Sequence, residues 1–307
     1  MKFKIVLILT IVFFLQIQKI IAQDYFYDNN SYSAAIMYEV GGSLGIMNCL
    51  TDLGGKKGLG KTFLKDLNYG NTQINGSLYF GVTYKETVGI RLEGSFGQVK
   101  AYDSILKDIR ASTNGRYERN LSFKSKIAEI ALVAEFYPAT LILNSKHLLF
   151  SPYLIGGIGF FSFNPQAILN GRTVDLQPLH TEGEGFKEYP DRKQYKLNQI
   201  NIPIGFGMLY EVSPNCNIRT ELLYRKLSTD YLDDVSKNYI DPSLFSKYLS
   251  GTKLNDALEL NDRRSKNDSN FPINSNGGQI RGTSKDNDAY FTFNIKIGYT
   301  FGREKRK

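Results

Sequence analysis

Eight segments of the chain alternate apolar side chains with polar or small ones, a period of two that is typical of β-strands. The apolar residues of each segment therefore fall on one face of a strand. Each segment is about ten residues long, the length that a tilted strand needs to cross a lipid bilayer. The segments are residues 35–47, 73–84, 88–99, 125–137, 153–163, 199–210, 216–225 and 289–301.

The links between these segments alternate in length. Three are short (85–87, 138–147 and 211–215), and four are long (48–72, 100–121, 164–196 and 227–287). Short turns on one side and long loops on the other are typical of outer-membrane barrels. We therefore predict an all-β fold, an eight-stranded antiparallel up-and-down transmembrane β-barrel with long extracellular loops.

A soluble β-sandwich is the alternative, because its strands also alternate. Charged residues in the middle of the polar faces and the alternating link lengths favour the barrel. Segment 153–163 is ambiguous, since Ile155 and Phe161 would place apolar side chains on its otherwise small or polar face.

Acidic and basic residues share the face that would point into the barrel. An eight-stranded barrel is just wide enough for side chains to fill its interior, and buried charges must be paired. The sequence therefore predicts a plug of salt bridges in the lumen, and the alternative is a gated pore or a proton path. The plug residues are Glu39, Arg91, Glu93, Glu129, Glu135, Arg219, Glu221, Arg225 and Lys296.

One aromatic residue ends each strand that runs toward the short turns. On the apolar face these four residues are predicted to form the aromatic girdle at the periplasmic side of the membrane. They are Tyr84, Phe136, Tyr210 and Phe301.

The chain begins with basic residues, which are followed by an apolar run and by Ala22 before a plausible cleavage point. This order is typical of a secretory signal. We expect a signal peptide (1–22), a short periplasmic segment (23–33), the barrel (34–302) and a basic periplasmic tail (303–307). The net charge is +8, and without Lys2, Lys4 and Lys19 of the expected signal it is 8 − 3 = +5, which is too small and scattered to indicate nucleic-acid binding. Cys49 and Cys216 fall at opposite ends of their strands, so both are predicted to be free.

Two motifs suggest chemistry at first sight. Residues 55–62 match the phosphate-binding loop pattern G-x-x-x-x-G-K-T, but the βαβ context that nucleotide binding requires is absent. His180 and Glu182 can be read as an acid–base pair, although a solvated polar loop is favoured because no nucleophile accompanies them. We therefore expect no enzyme activity and no nucleotide ligand.

Four aspartates crowd the last loop, at positions 230, 233, 234 and 241. They suit Ca²⁺ in residue type, but capping is favoured, with Asp241 and Pro242 opening a helix through Tyr248 and Gly251 following its end. Lys124 and Lys126 fall on the lipid-facing register at the outer end of their strand. They either meet lipopolysaccharide phosphates or lie in water, and the sequence leaves both open.

Five runs of the chain together resemble the PorG-like outer-membrane barrels that are associated with the type IX secretion system. The runs are 38–48 with 52–54, 119–123 with Ile127 and Glu129, 176–179 with 181–183, 202–205, and 229–236. The last is the most specific, because no general constraint on a barrel requires it. Its motif residues are Thr229, Asp230, Tyr231, Leu232, Asp233, Asp234 and Ser236.

The resemblance implies a small barrel, without catalysis or cofactor, whose periplasmic side associates with the ring proteins of the secretion machine. The expected partners are thus outer-membrane lipid, lipopolysaccharide and those ring proteins. The tail 303–307 and the turn 138–147 are the expected contact points, with a solvated end as the alternative for the tail. The alternative function is a structural or adhesive surface barrel acting through its extracellular loops, and a third class is a lipid-modifying enzyme.

Overall fold

Eight long strands dominate the computed structural model, which describes residues 32–33, 35–55, 67–113, 115–142, 150–264 and 277–305. The strand bounds follow the predicted segments, and most strands extend by a few residues toward the long loops. They are β1 (Ile36–Leu50), β2 (Gln73–Tyr84), β3 (Val88–Tyr102), β4 (Ser122–Phe136), β5 (Phe150–Leu169), β6 (Asn198–Ser213), β7 (Cys216–Leu227) and β8 (Ala289–Phe301).

The eight strands close into a cylinder. Each pairs antiparallel with the next in the chain, and β8 pairs with β1 along its whole length, from Ala289 opposite Leu50 to Phe301 opposite Tyr38. Closure leaves the barrel without an unpaired sheet edge within the strands' common span. The predicted eight-stranded antiparallel barrel is confirmed.

The outer face of the cylinder is apolar. Side chains that point outward at mid-strand are largely exposed, for example Ile90 at 61%, Ile130 at 63% and Ile295 at 52%, whereas their neighbours in sequence are buried inside. A soluble protein rarely exposes an apolar surface of this extent. The alternation that the sequence displays is therefore a division between the outside and the inside of a barrel.

Strand β5 resolves the ambiguous segment. Ile155 and Phe161 point inward and are 3% and 0% exposed, because the interior contains apolar layers as well as charged ones. The predicted end at residue 163 was too early. Asn164 and Pro165 suggest a loop, but the strand continues to Leu169 because its partners are β4 and then a short strand, Arg172–Asp175.

The long loops contain short helices and pack together above the barrel. No helix in the described ranges is long and apolar enough to cross a membrane. The 3₁₀ helices are Tyr69–Asn71, Asp103–Ser112, Gln177–Leu179 and Pro242–Leu244, and the α-helices are α1 (Arg116–Arg119), α2 (Pro138–Ile142, in a short turn), α3 (Phe245–Tyr248) and α4 (Gly251–Asn261).

Asp241 caps its helix much as predicted. Its carboxylate accepts a hydrogen bond of 2.9 Å from the backbone N–H of Ser243, with Pro242 at the first helical position. The segment to Tyr248 is a 3₁₀ turn followed by α3 rather than one α-helix. Gly251 follows it and begins α4 with a φ of 57°.

A two-stranded ladder lies at the turn side of the barrel. Tyr32–Ser33 pairs antiparallel with Glu304–Lys305, with Ser33 opposite Glu304. Gly302, at a φ of 93°, separates this ladder from the β1–β8 pair. The chain segments before and after the barrel are therefore joined to each other directly beneath it.

Candidate functional site

The charged residues predicted for the lumen all point into it, and none is more than 5% exposed. Seven of them form one continuous ion network. Arg219 bridges Glu39 (2.7 Å) and Glu135 (3.1 Å). Arg91 contacts Glu135, Glu221 and Glu93, and Lys296 contacts Glu93 at 2.5 Å and Glu221 at 3.1 Å.

The remaining two form a separate pair nearer the long loops. Arg225 Nε lies 2.7 Å from Glu129 Oε2, and its Nη1 donates to Thr292 at 2.9 Å. The nine residues therefore span the interior from the turn side to the apolar layer that contains Phe161 and Tyr290.

Each lumen glutamate also accepts a hydrogen bond from a hydroxyl group, which the sequence analysis missed. The donors lie at inward-facing positions of their strands or just beyond a strand end. Their inward-facing positions in the alternating pattern could have been used to predict them. The pairs are Tyr79 with Glu39 (2.5 Å), Ser77 with Glu93 (2.5 Å), Tyr290 with Glu129 (2.6 Å), Tyr137 with Glu135 (2.6 Å) and Tyr153 with Glu221 (2.5 Å).

Glycines on neighbouring strands make room for two of these tyrosine rings. A Cβ at Gly41 would lie 2.6 Å from the Tyr79 ring, and one at Gly298 would lie 2.5 Å from its hydroxyl. A Cβ at Gly207 would likewise meet the ring of Tyr153. The inward glycines are therefore part of the network, because larger residues would displace the hydroxyls from the carboxylates.

The turn side of the barrel is closed by the start of the tail. The Arg303 side chain is 5% exposed, forms an ion pair with Glu211 and donates to the carbonyl of Pro214 at 3.2 Å. Between it and the ion network lies a pocket of about 30 Å³, room for about one water. Arg303 is thus part of the barrel rather than the solvated end considered for the tail.

The four predicted girdle aromatics lie at the turn-side ends of β2, β4, β6 and β8 and face outward. Tyr84, Phe136, Tyr210 and Phe301 are between 38% and 47% exposed. Two further aromatic residues, on strands that run toward the long loops, stack on members of this set. Tyr38 stacks on Phe301 at 5.5 Å between ring centroids, and Phe150 stacks on Tyr210 at 4.8 Å.

The loop motif 229–236 lies at the centre of the packed loops, which we call the loop cap (residues 51–55, 67–72, 103–121, 170–197, 228–264 and 277–288). Leu232 and Val235 are 0% and 1% exposed within its apolar core. Asp233 accepts hydrogen bonds from the backbone N–H groups of Leu53 and Val235, at 3.1 and 3.0 Å. The motif therefore joins the first and last long loops.

Asp234 and Glu182 join the third loop to the motif. Asp234 accepts from the hydroxyls of Thr181 and Tyr195, both at 2.6 Å. Glu182 accepts from the backbone N–H of Ser236 at 3.0 Å and from Arg281 at 3.0 Å. Because these partners occupy its carboxylate, Glu182 does not form the alternative acid–base pair with His180. Glu182 is 0% exposed, so the solvated loop that the sequence favours is wrong at this residue.

The second loop enters the cap through Arg119. Its guanidinium forms a two-point contact with Asp103 (2.8 and 2.9 Å) and donates to the carbonyls of Asp52 (2.6 Å) and Arg281 (2.7 Å). All four long loops are thereby tied together by buried ionic groups.

Buried acids outnumber buried bases in the cap. In the described part of the cap, seven carboxylates are buried and others are partly buried, against four buried arginines. The buried acids are Asp103, Glu182, Glu184, Asp233, Asp234, Asp256 and Asp288, the partly buried ones include Asp52 and Asp230, and the buried bases are Arg116, Arg119, Arg264 and Arg281.

This imbalance shifts the acids toward their neutral form. Burial, with the charges of Asp234 and Glu182, raises the pKa of Glu184 to about 8. Burial beside Asp52 raises the pKa of Asp230 to about 9. Burial also raises the pKa values of Asp233 and Asp288 well above the usual range of aspartate. Several cap carboxyls are therefore protonated at neutral pH.

The remaining predictions from the sequence concern metal binding, the cysteines, the motif 55–62 and the signal peptide. Among the residues that the structure describes, no group of three or more His, Cys, Asp or Glu side chains is arranged to hold a metal ion. Cys49 and Cys216 are both free. Of the motif 55–62, only Gly55 lies within the described residues, and the expected signal peptide 1–22 lies outside them. His147 and residues 306–307 are also outside.

Several solved structures of outer-membrane proteins are similar to this chain, whereas no curated protein matches its sequence. Neisserial surface protein A aligns at 10% identity and a TM-score of 0.37, covering 88% of this chain and 99% of its own. OprG from Pseudomonas aeruginosa aligns at 12% identity and a TM-score of 0.38, covering 87% and 97%. A major outer membrane protein from Thermus thermophilus aligns at 12% and 0.38, covering 86% and 99%.

The sequence itself matches one family model, described as a domain of unknown function, over residues 18–182. The match spans β1 to β5 and the first three long loops into Glu182, including most of the cap contacts made by Arg119 and Asp103. The chain belongs to the DUF6089 family.

Proposed function

We propose that this protein is a non-catalytic β-barrel of the bacterial outer membrane and an accessory or anchoring component of a type IX protein secretion machine, in contact with periplasmic ring proteins. The observation that carries the proposal is an apolar cylinder with a salt-bridged interior. The runs that resemble the PorG-like barrels supply the link to secretion.

The outer surface supports a membrane location. Its apolar side chains cover all eight strands, and aromatic residues cluster at the turn-side edge, where a lipid–water interface favours them. Because every strand is paired on both sides, the backbone hydrogen bonds are satisfied without water. A soluble protein would have to cover this surface with a partner.

The filled interior supports an anchoring role rather than a translocation role. Side chains from all eight strands occupy the lumen, and Lys296 at its centre is 0% exposed. A barrel of eight strands has no room for a polypeptide as well. Secreted proteins would therefore pass through another component of the machine.

The turn side offers the surface for periplasmic partners. It carries α2, the Tyr32–Ser33 and Glu304–Lys305 ladder, and the hairpin at Asn215, whose side chain donates to the Thr300 carbonyl at 2.8 Å. In the described part of the chain this ladder has only two strands, so a partner strand could add to its edges. This surface replaces the free basic tail as the expected contact.

In-cell photocrosslinking tests the proposal. A photoreactive residue at Ala139 in α2 or at Lys305 in the ladder should trap a periplasmic protein, and one at Lys253 in the loop cap serves as the matched control. Deleting the gene should also block release of secreted cargo while other outer-membrane proteins remain in place. If the turn side traps no partner and secretion continues after deletion, the secretion role is wrong.

A structural or adhesive role at the cell surface is the second candidate, favoured by the packing of the described loop residues into a cap. The cap forms part of the surface, and α4 places the apolar side chain of Leu258 on it at 43% exposure. Replacing Lys253, Asn255 and Leu258 with Ser should abolish surface binding and leave secretion normal if this role is correct. Normal surface binding by this variant would count against it.

A further inference from the structure

Three lysines lie on the outward face of two neighbouring strands, close to the long loops. They are Lys100 on β3 and Lys124 and Lys126 on β4, and we call them the lysine platform. The sequence analysis left Lys124 and Lys126 undecided between water and lipid phosphate. Strand β4 begins at Ser122, so both residues belong to the strand and share its outward register with Ile130.

The strand register places like charges directly opposite each other. Lys100 pairs with Lys124, and Lys126 lies one outward position below, opposite Gln98. Like charges in facing positions of a sheet repel and destabilise it. None of the ion pairs among the described residues includes any of the three lysines, so the repulsion is not offset there by a carboxylate.

The groups around the platform do not neutralise it. Lys124 Nζ donates to the hydroxyl of Thr173 at 3.2 Å. The carboxylate in the neighbouring short strand, Asp175, accepts hydrogen bonds from the amides of Asn164 (3.0 Å) and Gln166 (2.7 Å). Asp175 keeps its own charge in these hydrogen bonds, but one carboxylate offsets only one of the three ammonium charges, so the platform keeps an excess of positive charge.

An apolar wall lies immediately below the platform on three adjacent strands. Phe96 is 67% exposed, Ile130 is 63% exposed and Phe160 is 57% exposed. Phe96 precedes Gln98 by one outward position, so the change from apolar to cationic takes place within two outward steps. Acyl chains against this wall would bring the headgroups of their lipids to the height of the lysines.

We propose that the lysine platform binds the phosphate groups of a phosphorylated glycolipid in the outer leaflet of the membrane. Phosphate supplies the negative charge that the facing lysines lack, and the wall below holds the acyl chains of the same molecule. The inference rests on the membrane location under the proposed function, and it is independent of the secretion role.

The test is binding of diphosphorylated lipid A to the purified barrel in detergent, measured by native mass spectrometry. The variant replaces Lys100, Lys124 and Lys126 with Gln, which keeps the chain length and removes the charge. Each lysine near an anionic lipid surface contributes about fivefold in affinity, so the triple variant should bind about 100-fold more weakly. Lys226→Gln, an isolated outward lysine at the loop end of β7, is the matched control and should bind as the wild type does.

Three further measurements distinguish phosphate binding by the lysines from other causes of lipid binding. Dephosphorylated lipid A should bind the wild type and the triple variant equally, and inorganic phosphate alone should not compete, because it lacks acyl chains. Equal binding of diphosphorylated lipid A by the wild type and the triple variant would overturn the proposal, as would full competition by inorganic phosphate. Insertion of both proteins into phosphatidylcholine vesicles tests the membrane location separately, so its failure is distinguishable from failure of the platform.

Discussion

At the residue scale, every lumen glutamate is held by both a cation and a hydroxyl group. Glu221, for example, contacts Arg91 and Lys296 and accepts from Tyr153 at 2.5 Å. A buried carboxylate without such partners would be costly, because no water replaces them. Each lumen glutamate therefore has its ionic and hydroxyl partners, and within the seven-residue network each member depends on its neighbours.

Replacing Lys296 with Met should destabilise the barrel by about 3–5 kcal/mol, since Glu93 and Glu221 then keep their charge and lose a partner. Unfolding by urea in detergent, followed by far-UV circular dichroism because the chain has no Trp, measures this change. Lys226→Met on the outer face is the control and should change stability by less than about 0.5 kcal/mol. Equal effects of the two substitutions would contradict the ionic plug.

Replacing Gly207 with Ala should destabilise the barrel by about 1–3 kcal/mol, because the added methyl group meets the ring of Tyr153 and moves its hydroxyl away from Glu221. Gly156→Ala is the matched control, since a Cβ there has no neighbour within 4 Å. The same urea titration compares the two variants. A neutral Gly207→Ala would mean that the tyrosine ring can shift without loss.

At the scale of elements, the loop cap is a packed unit with its own core and its own ionic groups. The motif 229–236 contacts the first loop through Leu53 and the third through Thr181. Its acids exceed its bases, so the cap depends on some carboxyls being neutral. This dependence makes the cap sensitive to pH in a defined direction.

The cap should become less stable as the pH rises. Glu184 binds its proton more tightly in the folded cap, where its pKa is about 8, than in an unfolded chain, where glutamate titrates near 4.5. The folded state therefore holds more protons between these values, and stability falls with increasing pH across that window. The pKa of about 9 for Asp230 extends the same trend.

Limited proteolysis of the loops at pH 5 and pH 9 measures this effect, and cleavage within 181–184 and 229–236 should be several-fold faster at pH 9. Glu184→Gln keeps the neutral form at both values and should reduce the difference. Glu259→Gln, on α4, is the control and should leave the difference unchanged. Faster cleavage at pH 5 would show that the assigned direction is wrong.

At the scale of the whole molecule, the barrel is closed at three levels. Arg303 and Glu211 lie at the turn side, the ion network fills the middle, and the apolar layer with the loop cap covers the loop side. An ion would have to break several of these contacts in turn to cross. We therefore expect the molecule to act as a closed cylinder rather than as a conduit.

The purified protein in planar bilayers should give no steady large conductance, because a filled eight-stranded lumen has no continuous water path. Single-channel recording measures this directly. Steady large openings of the wild type would contradict the plug and favour the gated pore.

The sequence alone determined the strands and which side of each strand faces lipid. Outward residues such as Leu44, Ile74 and Ile295 belong to apolar sets that occupy every second position of their strands. In a closed barrel, alternate positions of a strand face the outside and the lumen. For the same reason the inward position of Glu93 and Arg219 could be predicted. The alternating link lengths fixed the side on which the large loops lie.

Only the tertiary structure decided which groups meet. Arg91 and Glu221 are 130 residues apart, and Leu53 and Asp233 are 180 residues apart, so their contacts follow from strand register and loop packing rather than from local pattern. Tertiary structure also decided three other features: the hydroxyl partners of the glutamates, the burial of Arg303 and the extra length of β5. A period of two assigns a side chain to a face, but the partner at the same height is set by the stagger of the closed barrel.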